Sequence, residues 1–228
     1  MLMFSNYPYL LRMALIRSAY QDELDGVSQS LVDLTNMVTA SVVKASKAVQ
    51  SADLALAEEV IAADVKIDDF QHELDARIID IIARQQPVAS DLRALVTAMR
   101  MSADLERMGD LAHHIAKVAR LRHPDRAIPE ALVLPFTEMG HVAEKLSIMV
   151  AGVITTRDTE MALQVEKDDD EMDDLHKKVI STIINESSGL SIETAIDLTL
   201  LGRYYERYAD HAVSVARRVY FLVTGTFA

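Results

Sequence analysis

The chain contains no cysteine and no tryptophan, only seven glycines and five prolines in 228 residues, and only 5% aromatic side chains. Without thiols there is no disulfide, no thiolate metal site and no cysteine nucleophile. Strands favour aromatic and β-branched residues and need turn residues at every reversal, so this poverty argues against a sheet. The few glycines are scattered, which excludes a glycine-rich nucleotide loop. Positive charge is also short: 23 Lys and Arg stand against 35 Asp and Glu, a formal net charge of −12. Such a surface repels nucleic-acid backbones and anionic lipid, and suits cations or a basic patch on a partner protein. No uncharged apolar run approaches the ~20 residues that cross a bilayer. No direct membrane insertion is therefore expected, any membrane association would go through a partner, and a cytoplasmic location is compatible. Residues 1–16 are apolar, but Arg12 interrupts them and no basic segment or small-residue cleavage pattern frames them. They are expected to be a poorly ordered extension.

What the chain does contain is half hydrophobic residues, with much Ala, Leu, Met, Glu and Asp. These favour long helices. Proline punctuates them: Pro87 stands alone between two helical stretches, while Pro124, Pro129 and Pro135 cluster in LRHPDRAIPEALVLP. The pattern predicts helices near Ser18–Val49, Ala52–Gln85, Val88–Leu121, Leu132–Thr155, Asp158–Ser187 and Ser191–Val223. Ser51, Ser90 and Ser191 are the expected N-caps.

The two halves repeat. Glu106, Arg107, Asp110, Ala112 and Ala116 align with Glu206, Arg207, Asp210, Ala212 and Ala216 at an offset of 100. Upstream, Val60, Asp64, Asp68, Asp69 and Phe70 align with Val165, Asp169, Asp173, Asp174 and Leu175 at an offset of 105. The expected fold is all-α: two tandem three-helix units, 17–122 and 132–224, six long antiparallel helices with a pseudo-twofold repeat, joined by a linker at 123–131. Such halves pack side by side and seal each other's apolar flank.

Glu106 and Asp110, and again Glu206 and Asp210, are acids one turn apart on one helix face. In an antiparallel hairpin, residues equally far from the turn lie opposite, because both helices rise equally per residue. Glu106 is 20 residues past a turn near 86, so it faces position 66, between Asp64 and Asp68. Glu206 is 17 past a turn near 189, so it faces position 172, beside Asp169 and Asp173. Each half thus sets two acid pairs face to face, and four carboxylates there repel unless positive charge lies between them. Oxygen donors of this kind suit Mg, Ca, Mn or Fe, with more than one ion per site allowed. The competing reading is a solvated acidic face, with Arg107 and Arg207 neutralising part of it. His114, one turn after Asp110, extends the stripe, but its counterpart is Ser214, so symmetry does not support it as a ligand.

ADLERMGDLAHHIAK (103–117) resembles the helix motif of the PhoU family, QQPVASDLR (85–93) the turn before it, and AYQDELDGVSQSLVDLTNMV (19–38) its opening helix. RYYERYADHAVSVA (203–216) is a looser second copy, with Ala209 for Gly109 and added tyrosines. The resemblance covers about 17–223. It implies a pair of three-helix bundles and a cytosolic accessory protein of the high-affinity phosphate ABC transporter. It further implies a negative regulator that links the transporter's ATPase to a sensor histidine kinase. The family's metal-cluster motifs carry over onto Asp64, Asp68, Glu106, Asp110, Asp169, Asp173, Glu206 and Asp210, with divalent or iron-type metal ions as the implied cofactors.

Two other readings stand beside this one. A carboxylate-bridged oxidase needs two Glu-x-x-His motifs, and only Glu138-x-x-His141 is present, so no catalytic residue is assigned. A metal-free helical adaptor would use the acid faces to dock a basic partner. The tyrosine-rich second motif is expected to favour self-association as a homodimer.

Overall fold

The computed structural model describes the backbone of residues 7–186 and 189–226, with side chains from residue 18 onward except Glu186. Six helices follow one another: α1 (Tyr7–Ser51), α2 (Leu54–Gln85), α3 (Ala89–Arg122), α4 (Glu130–Thr156), α5 (Thr159–Glu186) and α6 (Ile192–Thr224). Among the described residues there is no strand. No helix is long and apolar enough to cross a membrane.

Local chemistry sets most of the ends. Asp53 caps α2 by accepting a hydrogen bond from the Leu56 amide, and Ser191 caps α6 by accepting from the Thr194 amide. Ser51 and Ser90 do not cap: Ser51 is the last residue of α1, and Ser90 lies inside α3, whose first turn follows Val88. The short breaks are made by non-glycine residues in the left-handed region, Ala52, Gln86, Ala89 and Arg157, each at a cost of about 1–3 kcal/mol that flanking helices offset. α1 runs eleven residues upstream of Ser18, through 7–17, so much of the expected N-terminal extension is helical; residues 1–6 lie outside the described residues. Pro135 falls within α4, not in the linker. It sits early in the helix, so it removes one hydrogen bond near the end where amides are already sparsely partnered.

α1, α2 and α3 all pack on one another, as do α4, α5 and α6. The two bundles then join through α1 against α4 and α3 against α6, so each inner helix meets its own repeat equivalent. α2 and α5 are the outer helices, one on each flank. The α3–α6 crossing is antiparallel: Asp104 meets Arg218 at one end and Arg122 meets Asp197 at the other. Ala112, Ala116, Ala212 and Ala216 are fully buried on these two helices, where small side chains allow close approach.

Two tyrosines of the second motif point inward, away from any surface. Tyr205 and Tyr208 are fully buried. The Tyr205 hydroxyl donates to Ser46 Oγ of α1 at 2.8 Å. The Tyr208 hydroxyl shares a 2.8 Å hydrogen bond with Ser147 of α4 and reaches the Val38 carbonyl of α1. A buried phenol needs a polar partner; Ser46 and Val38 supply it from α1 across the seam between the repeats, and Ser147 from within the second repeat. Tyr204 is half-buried and stacks on His114 of α3, with ring centroids 5.2 Å apart.

Candidate functional site

The two hairpins α2–α3 and α5–α6 carry their acids where equal distance from the turn places them. In the first, Asp64 and Asp68 of α2 and Glu106 and Asp110 of α3 are all half-buried. Their closeness is visible in their electrostatics. Burial raises the Glu106 carboxyl above its ordinary range, and Asp110, Asp68 and Asp64 raise it further, against Arg107. Asp68 is raised by burial, then by Asp64 and Asp110, with His72 opposing.

In the second hairpin Asp169 and Glu206 are half-buried, and Asp173 and Asp210 are exposed. Asp169 is pushed up to about 7, first by burial and then by Asp173, Asp210, Asp170 and Glu206. Glu206 is raised by burial and by Asp210, against Arg203 and His176. The structure therefore gathers all eight acids into two groups of four. At Asp169 burial disfavours the charged form first, and the neighbouring acids add to it.

Counterions are present and unequal. Arg107 pairs with Asp110. Arg207, the equivalent position, has no carboxylate partner among the described residues; Arg203 pairs with Glu206 instead, because it stands one turn before that acid. The first face also has a histidine, His113. His113 Nδ1 contacts Asp64 Oδ2, while Asp64 Oδ1 and His113 Nε2 are buried without a hydrogen-bond partner. The available signal was periodicity: His113 lies three residues after Asp110 and seven after Glu106, on the same stripe. His114 turns away, stacked between His113 and Tyr204.

The donor set, carboxylates with a neighbouring imidazole, fits a hard or borderline cation. The orphaned Asp64 and His113 atoms mark where polar partners are missing. Among the described residues no three His, Asp or Glu side chains converge on one point as they stand, so a cation would have to draw them inward. The Glu138-x-x-His141 motif lies on α4, outside both hairpins, and His141 is exposed.

A family profile, the PhoU domain, matches residues 31–119 and again 136–219, once in each repeat. The phosphate-specific transport system accessory protein PhoU homolog 2 of Mycobacterium tuberculosis is 42% identical over 93% of this chain and 100% of its own length. The crystal structure of the phosphate transport system regulatory protein PhoU from Streptococcus pneumoniae superposes with a TM-score of 0.84 at 25% identity, covering 92% of this chain and 99% of that one. PhoU from Pseudomonas aeruginosa superposes with a TM-score of 0.80 at 27% identity, over 91% of this chain and 100% of that one.

Proposed function

The chain belongs to the PhoU family, and on that premise we propose that it is a cytoplasmic accessory protein of a high-affinity phosphate ABC transporter. It restrains phosphate uptake and phosphate-starvation signalling by linking the transporter's ATPase subunit to a sensor histidine kinase. It works by docking and not by catalysis. The observation that carries this reading is that the family profile matches both repeats, while the similarity to accessory proteins runs through nearly the whole chain.

The acid faces hold divalent or iron-type cations between Asp64, Asp68, Glu106 and Asp110, and between Asp169, Asp173, Glu206 and Asp210. A bound cation supplies the positive charge these faces lack; the residues themselves hold the two helices of each hairpin in register and shape the docking surface. The support is the upward push on Asp169 and the orphaned Asp64 and His113 atoms. A second reading, a metal-free adaptor, is favoured by the Arg107–Asp110 and Arg203–Glu206 pairs, which already neutralise part of each face.

The test is a pull-down from phosphate-replete cells, with bound proteins identified and metal measured on the same sample. Capture of the transporter ATPase or the sensor kinase, lost on phosphate starvation, is expected. Capture of neither from replete cells would overturn the regulatory reading. A metal-free sample whose thermal stability ignores both Mn and chelator would select the metal-free adaptor.

A further inference from the structure

The repeat provides an internal control at the two ends of the four inner helices. At one end, α3 and α1 finish while α6 and α4 begin. There Arg122 of α3 pairs with both Asp197 and Glu193 of α6. His123 Nδ1 lies 3.2 Å from the Ala52 carbonyl at the end of α1. Asp197 is only 6% exposed, and the linker residues Ala127 and Ile128, which connect α3 to α4 at this end, are also buried. This end is sealed.

At the opposite end the same construction is missing. The repeat equivalents of Arg122, Asp197 and Glu193 are Leu222, Thr97 and Arg93. No ion pair can form among them, and a cavity of about 500 Å³ opens between α1, α3, α4 and α6. Its wall is divided about evenly between polar and apolar surface, with Leu31, Leu95, Met101 and Val219 almost fully buried beneath the apolar part. Two cations line it, Arg93 and Arg157. Arg157 is the left-handed residue that ends α4, where the equivalent left-handed residue ending α1 is the uncharged Ala52. The Arg93 guanidinium lies over the Phe221 ring, 5.5 Å from its centroid, which leaves its N–H edge free to donate. Neither arginine is ion-paired to a carboxylate among the described residues, and Asp91 is the one acid on the lining.

On a chain of net charge −12, two unpaired arginines at the mouth of a partly apolar cavity are a local reversal of charge. Cavities of roughly 300–1,000 Å³ with apolar walls and a few placed polar groups are the usual form of a small-molecule site. The geometry points to a binding site for an amphipathic anion, with its apolar body between the inner helices and its phosphate or carboxylate head on Arg93 and Arg157. Inorganic phosphate alone would leave the apolar volume empty. The site is separate from both acid faces and does not depend on which partners the protein docks.

The probe is decyl phosphate, titrated calorimetrically below its micelle-forming concentration, with inorganic phosphate and decanol as parallel arms. One decyl phosphate per chain is expected, with weaker binding of both comparison compounds. Arg93→Ala and Arg157→Ala should each weaken binding about tenfold, as loss of a charge-assisted contact does. The triple variant Arg93→Glu, Thr97→Asp, Leu222→Arg copies the sealed end and should abolish binding with unchanged helical circular dichroism. If the triple variant does not fold, the two arginine variants decide. Absence of wild-type binding, equal binding of inorganic phosphate or decanol, or arginine variants that bind as well as wild type would each overturn the assignment.

Discussion

The first and second hairpins share one plan and differ in how they balance it. Both set four acids across two helices, but the first surrounds them with His113, His72 and Arg107, while the second adds Asp170 and relies on Arg203 and His176. The result is unequal strain. Asp169 is pushed to about 7, while the rises at Asp68 and Glu106 are smaller. Packing differs in the same direction. A Cβ on Gly109 would stand 3.0 Å from Ile67, so the first hairpin closes tightly beside its acids, whereas the second accommodates Ala209. Duplication preserved the charged plan, and divergence acted on what surrounds it.

The largest effect should come from the seam between the repeats, where Leu105 and Met108 of the first correspond to Tyr205 and Tyr208 of the second, all fully buried. Tyr208→Ala should cost about 3–5 kcal/mol, as large-to-small changes of buried aromatics do. Tyr208→Phe should cost only about 1 kcal/mol for the lost hydrogen bonds; urea unfolding separates the two. A small loss for Tyr208→Ala would mean the seam is not the structural centre.

Next in size is the sealed end. Asp197→Ala takes away one of the two carboxylates on Arg122 and leaves it with the exposed Glu193 alone, so stability should fall, but by less than for Tyr208→Ala and by less than when a fully buried charge loses its only partner. Thr97→Ala at the open end should cost less, because no ion pair is broken there. Equal costs would remove the contrast between the ends.

The third effect is in pH dependence. Because the folded Asp169 titrates near 7, above its unfolded value, the native state holds more protons than the unfolded chain between roughly 4 and 7. Stability contributed at this position is therefore greatest at the acid end of that window and falls as pH rises to 7. Asp169→Asn should raise the melting temperature at pH 8 and flatten the decline, and Asp68→Asn in the first hairpin, whose carboxyl is also raised, should do less. Added Mn should produce the same flattening in the wild type if cations occupy the face. A steeper decline for Asp169→Asn would contradict the electrostatic account.

The smallest effect is expected at Lys44, whose pair with Glu59 joins α1 to α2 at the surface with both side chains about half exposed. Lys44→Ala should change stability by less than about 0.5 kcal/mol, measured by the same urea titration.

Much of this was legible from spacing. The prolines and glycine scarcity announced the six helices, the two offsets announced the repeat, and equal rise per residue placed Asp64 and Asp68 opposite Glu106 and Asp110 before any coordinates. What misled was local analogy. Ser51 and Ser90 carry capping side chains, yet the caps fall two residues away from each, at Asp53 and Val88. Tyr205 and Tyr208 looked like a sticky surface, because a run of aromatic residues on a polar helix does not say which neighbour will cover it. His113 aligns with Val213 in the repeat, so the offsets do not mark it, and only the packing of α3 on α2 brings it to Asp64.

Helix, repeat and facing acids are consequences of periodicity along one chain and of hairpins whose turns can be located, so they follow from neighbours in sequence. The pairing of α1 with α4 and α3 with α6 arises instead from contacts between residues far apart in sequence, such as Arg122 and Asp197, 75 positions apart, or Tyr205 and Ser46, 159 apart. So do the inward tyrosines, the seal of Arg122 on Asp197 and Glu193, and the open cavity at the other end. There the identity of a side chain matters less than the shape and charge of the surface it meets, and only the assembled helices bring that surface into being.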